Sequence, residues 1–133
     1  MFTFKKEERL CSKKRIEQLF HNGSSFLLYP FRVTWLSDSR QDGVPVQVII
    51  NVSKRRFKRA HDRNLIRRRI REAYRLHKNN NLYCFIAEGR QLFLAVNYIG
   101  KEISSYQLIE KKLLAVFERL IQSYQDEMAG RDS

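Results

Sequence analysis

The chain has 133 residues, with 26 Lys plus Arg against 14 Asp plus Glu and a formal net charge of +12. Its length suits one domain that buries a core without staples, and 43% apolar residues spread along the whole chain exclude a disordered polyelectrolyte. No apolar run approaches the ~18 residues of a membrane span, Cys11 and Cys84 lack partners at zinc or disulfide-framework spacing, and the first fifteen residues lack a secretory apolar stretch, so a cytoplasmic protein with a polyanionic partner is expected.

In chain order, Ser12 can cap a short helix over Lys13–Phe20, with Asn22-Gly23 as its stop. Ile16, Leu19 and Phe20 give it an apolar stripe. Phe26–Leu36 reads as a strand, with Pro30 suggesting an edge or a bulge. Ser37–Pro45 reads as a turn and Val46–Val52 as a second strand, and the two strands are expected to pair as an antiparallel hairpin. Asp62 is expected to cap a long helix running to about Lys78 and closed by Asn79, Asn80 and Asn81. Leu82–Arg90 reads as a connection with some local order. Gln91–Ile99 is a third strand, ended by Gly100. Ser104 or Ser105 starts the last helix, whose buried face is Leu108, Ile109, Leu113, Val116, Phe117, Leu120, Ile121 and Tyr124. The tail after Glu127 is expected to fray. The order is α-β-β-α-β-α: an α+β sandwich with one mainly antiparallel sheet, forming a single domain over 1–133 with an ordered core of about 9–127.

The charge is focused. Ser53–Lys78 holds 12 basic residues and two acids, a net of +10, and the rest of the chain carries only +2. On a helical wheel Ile66, Ile70, Ala73, Tyr74 and His77 share one side, which must face the sheet. Asn64, Arg68, Arg71 and Arg75 line the other side. Arg67 and Lys78 flank them on one edge, Arg69 and Glu72 on the other. Such a ladder of like charges costs a few tenths of a kcal/mol per pair in a free helix, and a dense external anion offsets it. Arginine predominates over lysine, and its planar fork binds phosphate bidentately and stacks on bases. Charge alone does not separate RNA from DNA, but a strand rather than a helix precedes the basic helix, which weighs against a helix-turn-helix.

The stretch Arg63-Asn64-Leu65-Ile66-Arg67-Arg68-Arg69-Ile70-Arg71-Glu72 resembles the signature helix of the bacterial ribonuclease P protein subunit. That family's pattern is R-N-x-x-K/R-R-x-x-R-E after a strand ending in a V-S-K-K-like segment, here Val52-Ser53-Lys54-Arg55. Leu10, the amphipathic first helix ending near Phe20, and Gly23 agree as well, so the resemblance spans roughly residues 9 to 121. Leu65 stands where the family usually has a third arginine, and Arg56-Phe57-Lys58-Arg59 where it often has a loop glycine.

The resemblance implies a left-handed β-α-β crossover, against the general rule, and a role in a ribonucleoprotein that removes the 5′ leader of precursor tRNA. The implied partners are a catalytic RNA and precursor tRNA, with no membrane and no small-molecule substrate. The implied cofactors are the RNA subunit and Mg²⁺ bound mainly by RNA and substrate. By motif match, Arg63, Asn64, Arg67, Arg68, Arg71 and Arg75 would contact the catalytic RNA, with Lys54, Arg55, Lys58 and Arg59 adjoining that contact. Lys13, Lys14, Phe20, Phe31 and Arg32 are the candidates for a cleft holding the single-stranded leader, since bases stack on rings while the backbone follows positive charge. No catalytic residue and no protein metal site is assigned. The acids are scattered, whereas a metal-dependent nuclease gathers them, and His21, His61 and His77 show no acid–base pairing. The alternative from the same residues is a structural, ribosomal-type RNA-binding protein with no part in cleavage.

Overall fold

The computed structural model describes residues 4–40 and 43–131. Its main elements are α1 (Lys13–Asn22), β1 (Ser24–Leu28), β2 (Phe31–Ser39), β3 (Val46–Val52), α2 (Ala60–Asn81), β4 (Arg90–Tyr98) and α3 (Tyr106–Arg131), with short 3₁₀ turns at Lys6–Glu8 and Tyr83–Phe85. The four strands form one sheet in the order β1-β2-β4-β3.

β4 explains that order. Its run Gln91–Val96 is buried throughout, so both of its faces are covered, as a central strand requires. It pairs antiparallel with β2 (Val33 opposite Val96) and parallel with β3 (Ile50 opposite Val96). The expected β2–β3 hairpin therefore does not form: β4 lies between the two strands, and α2 makes the crossover that a parallel β3–β4 pair needs. The segment read as a turn from Ser37 supplies three more residues of β2, because Ser37, Asp38 and Ser39 pair with Leu92, Gln91 and Arg90.

The strand read as continuous from Phe26 to Leu36 is in fact two. Tyr29 and Pro30 form the turn of a tight β1–β2 hairpin with Leu28 opposite Phe31, where a residue without an N–H can leave the ladder. Side chains alternate across β2. Phe31, Val33 and Trp35 join the large core beneath α2 and α3, while Leu36 packs on the other face with Phe93 and Ala95 of β4 and Leu10, Ile16 and Leu19. Helices thus cover both faces of the sheet.

Ser12 caps α1 by accepting from the Arg15 N–H. Gly23, which follows α1, sits where an added Cβ would lie 2.3 Å from the Leu19 carbonyl oxygen and 2.8 Å from that of Trp35, and this close approach lets α1 turn directly into β1. α2 is longer at both ends than expected. Arg59 occupies its N-cap without a side-chain bond. Asp62 lies inside the first turn instead, where a carboxylate complements the helix dipole. Ile66, Ile70, Ala73 and Tyr74 are buried as the wheel predicts, and half-buried His77 meets Glu110 of α3 at 2.9 Å. α3 begins after Ser105, whose Oγ accepts from the Leu108 N–H. Leu108 itself is 42% exposed and leaves the predicted buried face. The helix runs on to Arg131 with Met128 against the core, so residues 128–131 are not frayed. Asp132 and Ser133 lie outside the described residues.

The largest departure from the wheel is Lys78. Both it and Glu8 are only 3% exposed, and their side chains form an ion pair. The Tyr83 hydroxyl donates to Glu8 at 2.6 Å, as does the Lys5 N–H, and the Lys78 ammonium also lies over the Phe4 and Tyr83 rings. This network fastens the N-terminal segment to the last turns of α2. Burial alone would raise the Glu8 pKa, but the bonds from Lys78, Tyr83 and Lys5 outweigh it and hold the carboxyl below its usual range. We expect Glu8→Gln to destabilise the fold by about 3–5 kcal/mol at pH 7, because it removes the carboxylate from a buried ion pair. Since the native pKa is depressed, the stabilisation is full above the unfolded value of about 4.3 and is lost as pH falls through the native one. Urea unfolding at pH 7 and pH 3 should therefore show a large wild-type advantage that shrinks in acid.

Candidate nucleic-acid interface

Two surfaces meet at one end of the sheet. The first is the outer face of α2 with the loop that feeds it. After β3 the chain turns through Ser53–Arg59, where the Ser53 oxygens accept from the N–H groups of Arg55 and Phe57. Phe57 is buried against Tyr98, with ring centroids 6.0 Å apart. That anchor holds Lys54, Arg55, Lys58 and Arg59 outward, all exposed.

The α2 cations then divide by what they touch. Arg63 turns back and donates to the carbonyls of Phe57 (2.7 Å) and Lys58 (2.9 Å), so it fixes the loop. Arg69 donates to the Ser104 carbonyl at 2.6 Å and ties α2 to the start of α3. Arg67 donates to the Asn64 side-chain oxygen at 2.9 Å, which orients both on the outer face. Arg75 forks onto Glu72, at 2.6 and 3.1 Å, and these bonds hold the Glu72 carboxyl below its usual range. Arg68 and Arg71 are exposed, with no acidic partner among the described residues. Of the predicted contact set, Asn64, Arg67, Arg68 and Arg71 thus share one open face beside the loop cations. Arg75 stands further along it with part of its charge answered, and Lys78 leaves it for the core.

The second surface is the face of the sheet that α1 leaves uncovered. The register aligns Leu27, Arg32, Asn97 and Asn51 in one row across all four strands, and the Asn51 amide donates to Asn97 at 3.0 Å. Arg32 is exposed in this row, and Lys13 and Lys14 are exposed on α1. Phe20, 50% exposed, points away from the core that its neighbour Leu19 fills. Phe31 does not join them. It is fully buried on the opposite face of β2, edge-on to Tyr98 at 5.9 Å, because neighbouring strand residues point to opposite faces. Sequence reasoning missed Leu27, Asn51 and Asn97. Period-2 alternation marks them as solvent-side positions, but only the strand order aligns them. Among the described residues no three His, Cys, Asp or Glu side chains gather as a metal site, and no helix is long and apolar enough to cross a membrane.

The chain and its fold match known proteins. Residues 4–120 match the family model described as Ribonuclease P. The chain is 31% identical over 114 residues to the ribonuclease P protein component of Porphyromonas gingivalis, covering 84% of this chain and 82% of that one. It is 34% identical over 122 residues to that of Chlorobium phaeobacteroides, covering 84% and 83%. Among solved structures, the RNase P protein of Staphylococcus aureus superposes with a TM-score of 0.64 at 20% identity, over 85% of this chain and 94% of that one. The RNase P protein of Thermotoga maritima does so with a TM-score of 0.64 at 23% identity, over 84% and 96%.

The division of cations has a measurable consequence. Arg63→Ala should cost about 1–3 kcal/mol, the range for losing hydrogen bonds from a charged donor, and should speed amide exchange in the Ser53–Arg59 loop. Arg68→Ala should stay within about 0.5 kcal/mol of the parent, as surface substitutions do. Denaturant melts of the two variants check this.

Proposed function

The chain belongs to the ribonuclease P protein component family, and from that membership we propose that it is the protein subunit of a ribonucleoprotein endoribonuclease that matures the 5′ end of tRNA in the cytoplasm. It binds the catalytic RNA through the α2 face and the Lys54–Arg59 loop. It holds the single-stranded 5′ leader of precursor tRNA over the open sheet row beside α1. The observation that carries this reading is the run of uncompensated guanidinium groups on α2, continuous with the basic loop at the same sheet end as the Arg32 row.

On this reading the protein's work is electrostatic and positional. Its cations lower the repulsion between two RNAs and release their counterions. The loop, held by Phe57 and Arg63, presents them without a large ordering cost at the moment of binding. Phe20 offers a ring to a leader base and Arg32 a fork to its phosphate, while Asn51 and Asn97 supply amide groups for base edges. Mg²⁺ belongs mainly to RNA and substrate, and the chemistry to the RNA. The whole chain, 1–133, acts as one RNA-binding domain.

The decisive experiment is cleavage of precursor tRNA by ribonuclease P RNA of the same organism at low Mg²⁺, with and without the protein. A large gain with the protein, and no cleavage by the protein alone, is expected. RNA binding without any gain would instead make this a structural RNA-binding protein. The double variant Arg68→Ala with Arg71→Ala should bind the RNA more weakly and lower the slope of log K against log salt by roughly two, about one per lost phosphate contact. Phe20→Ala should cost about 1–3 kcal/mol of affinity for leader-bearing precursor, the usual worth of one stacked base, and leave the affinity for mature tRNA unchanged. Titrations of both RNAs across a salt series read these effects.

A further inference from the structure

The N-terminal segment brings another cation to the α2 face. Arg9 bridges Val48 in parallel register, and the Leu10 N–H donates to the Val48 carbonyl at 2.9 Å. The segment therefore lies along the edge of β3 that no other strand covers. A cavity of about 260 Å³ opens there between the segment, the strand edge and α2. Phe4, Leu10, Val48 and Ile50 give it apolar walls, and Arg9 and Arg71 are the two charged residues that line it. The Arg9 guanidinium lies 5.6 Å from the centre of the Phe4 ring. No acid among the described residues answers either arginine, because Glu8, the neighbour of Arg9, is turned inward onto Lys78. Burial first, then repulsion from Arg9 and Arg67, holds the Arg71 guanidinium below its ordinary pKa. Two cations are thus held together over an apolar slot.

We propose that this cavity takes one unpaired nucleotide of the RNA partner, with its phosphate between Arg9 and Arg71 and its base against Phe4, Val48 and Ile50. The inference rests on the RNA-binding reading above and adds to it a site that shares only Arg71 with the signature helix motif and lies outside the sheet row. Paired guanidinium groups select a phosphate. The apolar walls offer nothing to a bare anion but suit the face of a base. The volume falls just below the range for drug-sized ligands, which suits a single base and excludes a duplex. A base reaches such a slot only from a single-stranded loop, bulge or end.

Cys11 lines the same cavity and is exposed, whereas Cys84 is exposed in the Tyr83–Phe85 turn, its thiol donating to the Asn80 carbonyl at 3.2 Å. The test measures iodoacetamide alkylation of both thiols in the full chain, free and saturated with ribonuclease P RNA of the same organism. The expected result is at least a tenfold slowing at Cys11 with no change at Cys84. Arg9→Gln, saturated with RNA and checked for an unchanged melting temperature, should lose most of that ratio. In a second arm on the unmodified protein, millimolar 5′-AMP should slow Cys11 and inorganic phosphate at the same concentration should not. An unprotected Cys11 in a saturated complex, equal protection in Arg9→Gln, or equal effects of phosphate and 5′-AMP would each overturn the proposal while leaving the α2 reading intact. Failure of the parent protein to bind the RNA at all would overturn both.

Discussion

Everything that positions the charged surface follows from the burial of β4 on both faces. Leu92, Leu94 and Val96 face α2 and α3, while Phe93 and Ala95 face α1. A strand with two apolar faces must be central, and a parallel neighbour on one side of it requires a crossover. β3 is that neighbour, so α2 must leave from its end and return across the sheet to feed β4. The basic helix is this crossover. Its apolar stripe is held down by the sheet, and its outer face has nowhere to go but solvent. One consequence is that the edge of β3 stays open, and the N-terminal segment uses it.

The cations of Ser53–Lys78 look alike in the sequence and are not alike in the fold. Lys78 is spent on a buried pair, and such pairs contribute less to net stability than to fixing one arrangement. Here the fixed arrangement is that of residues 4–10 against α2 and β3. Arg63 and Arg69 close loops by donating to carbonyls, which an arginine does well because its donors are spread across a planar fork. Arg75 is half neutralised by Glu72. What remains is a compact group on the outer face, joined by Arg9 from far along the chain. The net charge of the segment therefore overstates the charge available to a partner, and the position of that charge matters more than its sum.

Much of this was legible beforehand, and the failures have definite causes. The α2 wheel placed Ile66, Ile70, Ala73 and Tyr74 correctly because a 3.6-residue period is a property of one segment. Strand pairing is not. The Ser37–Pro45 stretch has the residues of a hairpin turn, and nothing local says that a strand fifty residues later will insert between its flanks. Phe31 and Arg32 were grouped as neighbours in sequence, yet alternation puts one in the core and the other in the open row. Lys78 has the wheel angle of a flanking surface residue, and it is buried against Glu8, seventy residues away. Arg9 gave no signal either, since it lies far outside the basic segment and directly after two acids, Glu7 and Glu8. The family resemblance pointed to this helix, but it could not sort the helix's arginines into those that face solvent and those that hold the fold.

The two surfaces are linked by more than proximity. The row of Leu27, Arg32, Asn97 and Asn51 lies one residue before β3 and β4 end, and the chain leaving β3 is the basic loop itself. A shift of β3 along β4 would move Asn51 out of the row and displace the loop and the start of α2 by the same step. A single register therefore sets the distance between the two proposed sites, one for a folded RNA and one for a single strand. Pre-set spacing of this kind is what a positioning subunit needs, because the benefit of holding two partners depends on geometry at the level of an ångström. The same register holds Val48 opposite Leu94 within the sheet and in bridge with Arg9 outside it. The edge cavity is thereby locked to the same frame, and the three proposed contact regions are carried by one strand whose own side chains are mostly core.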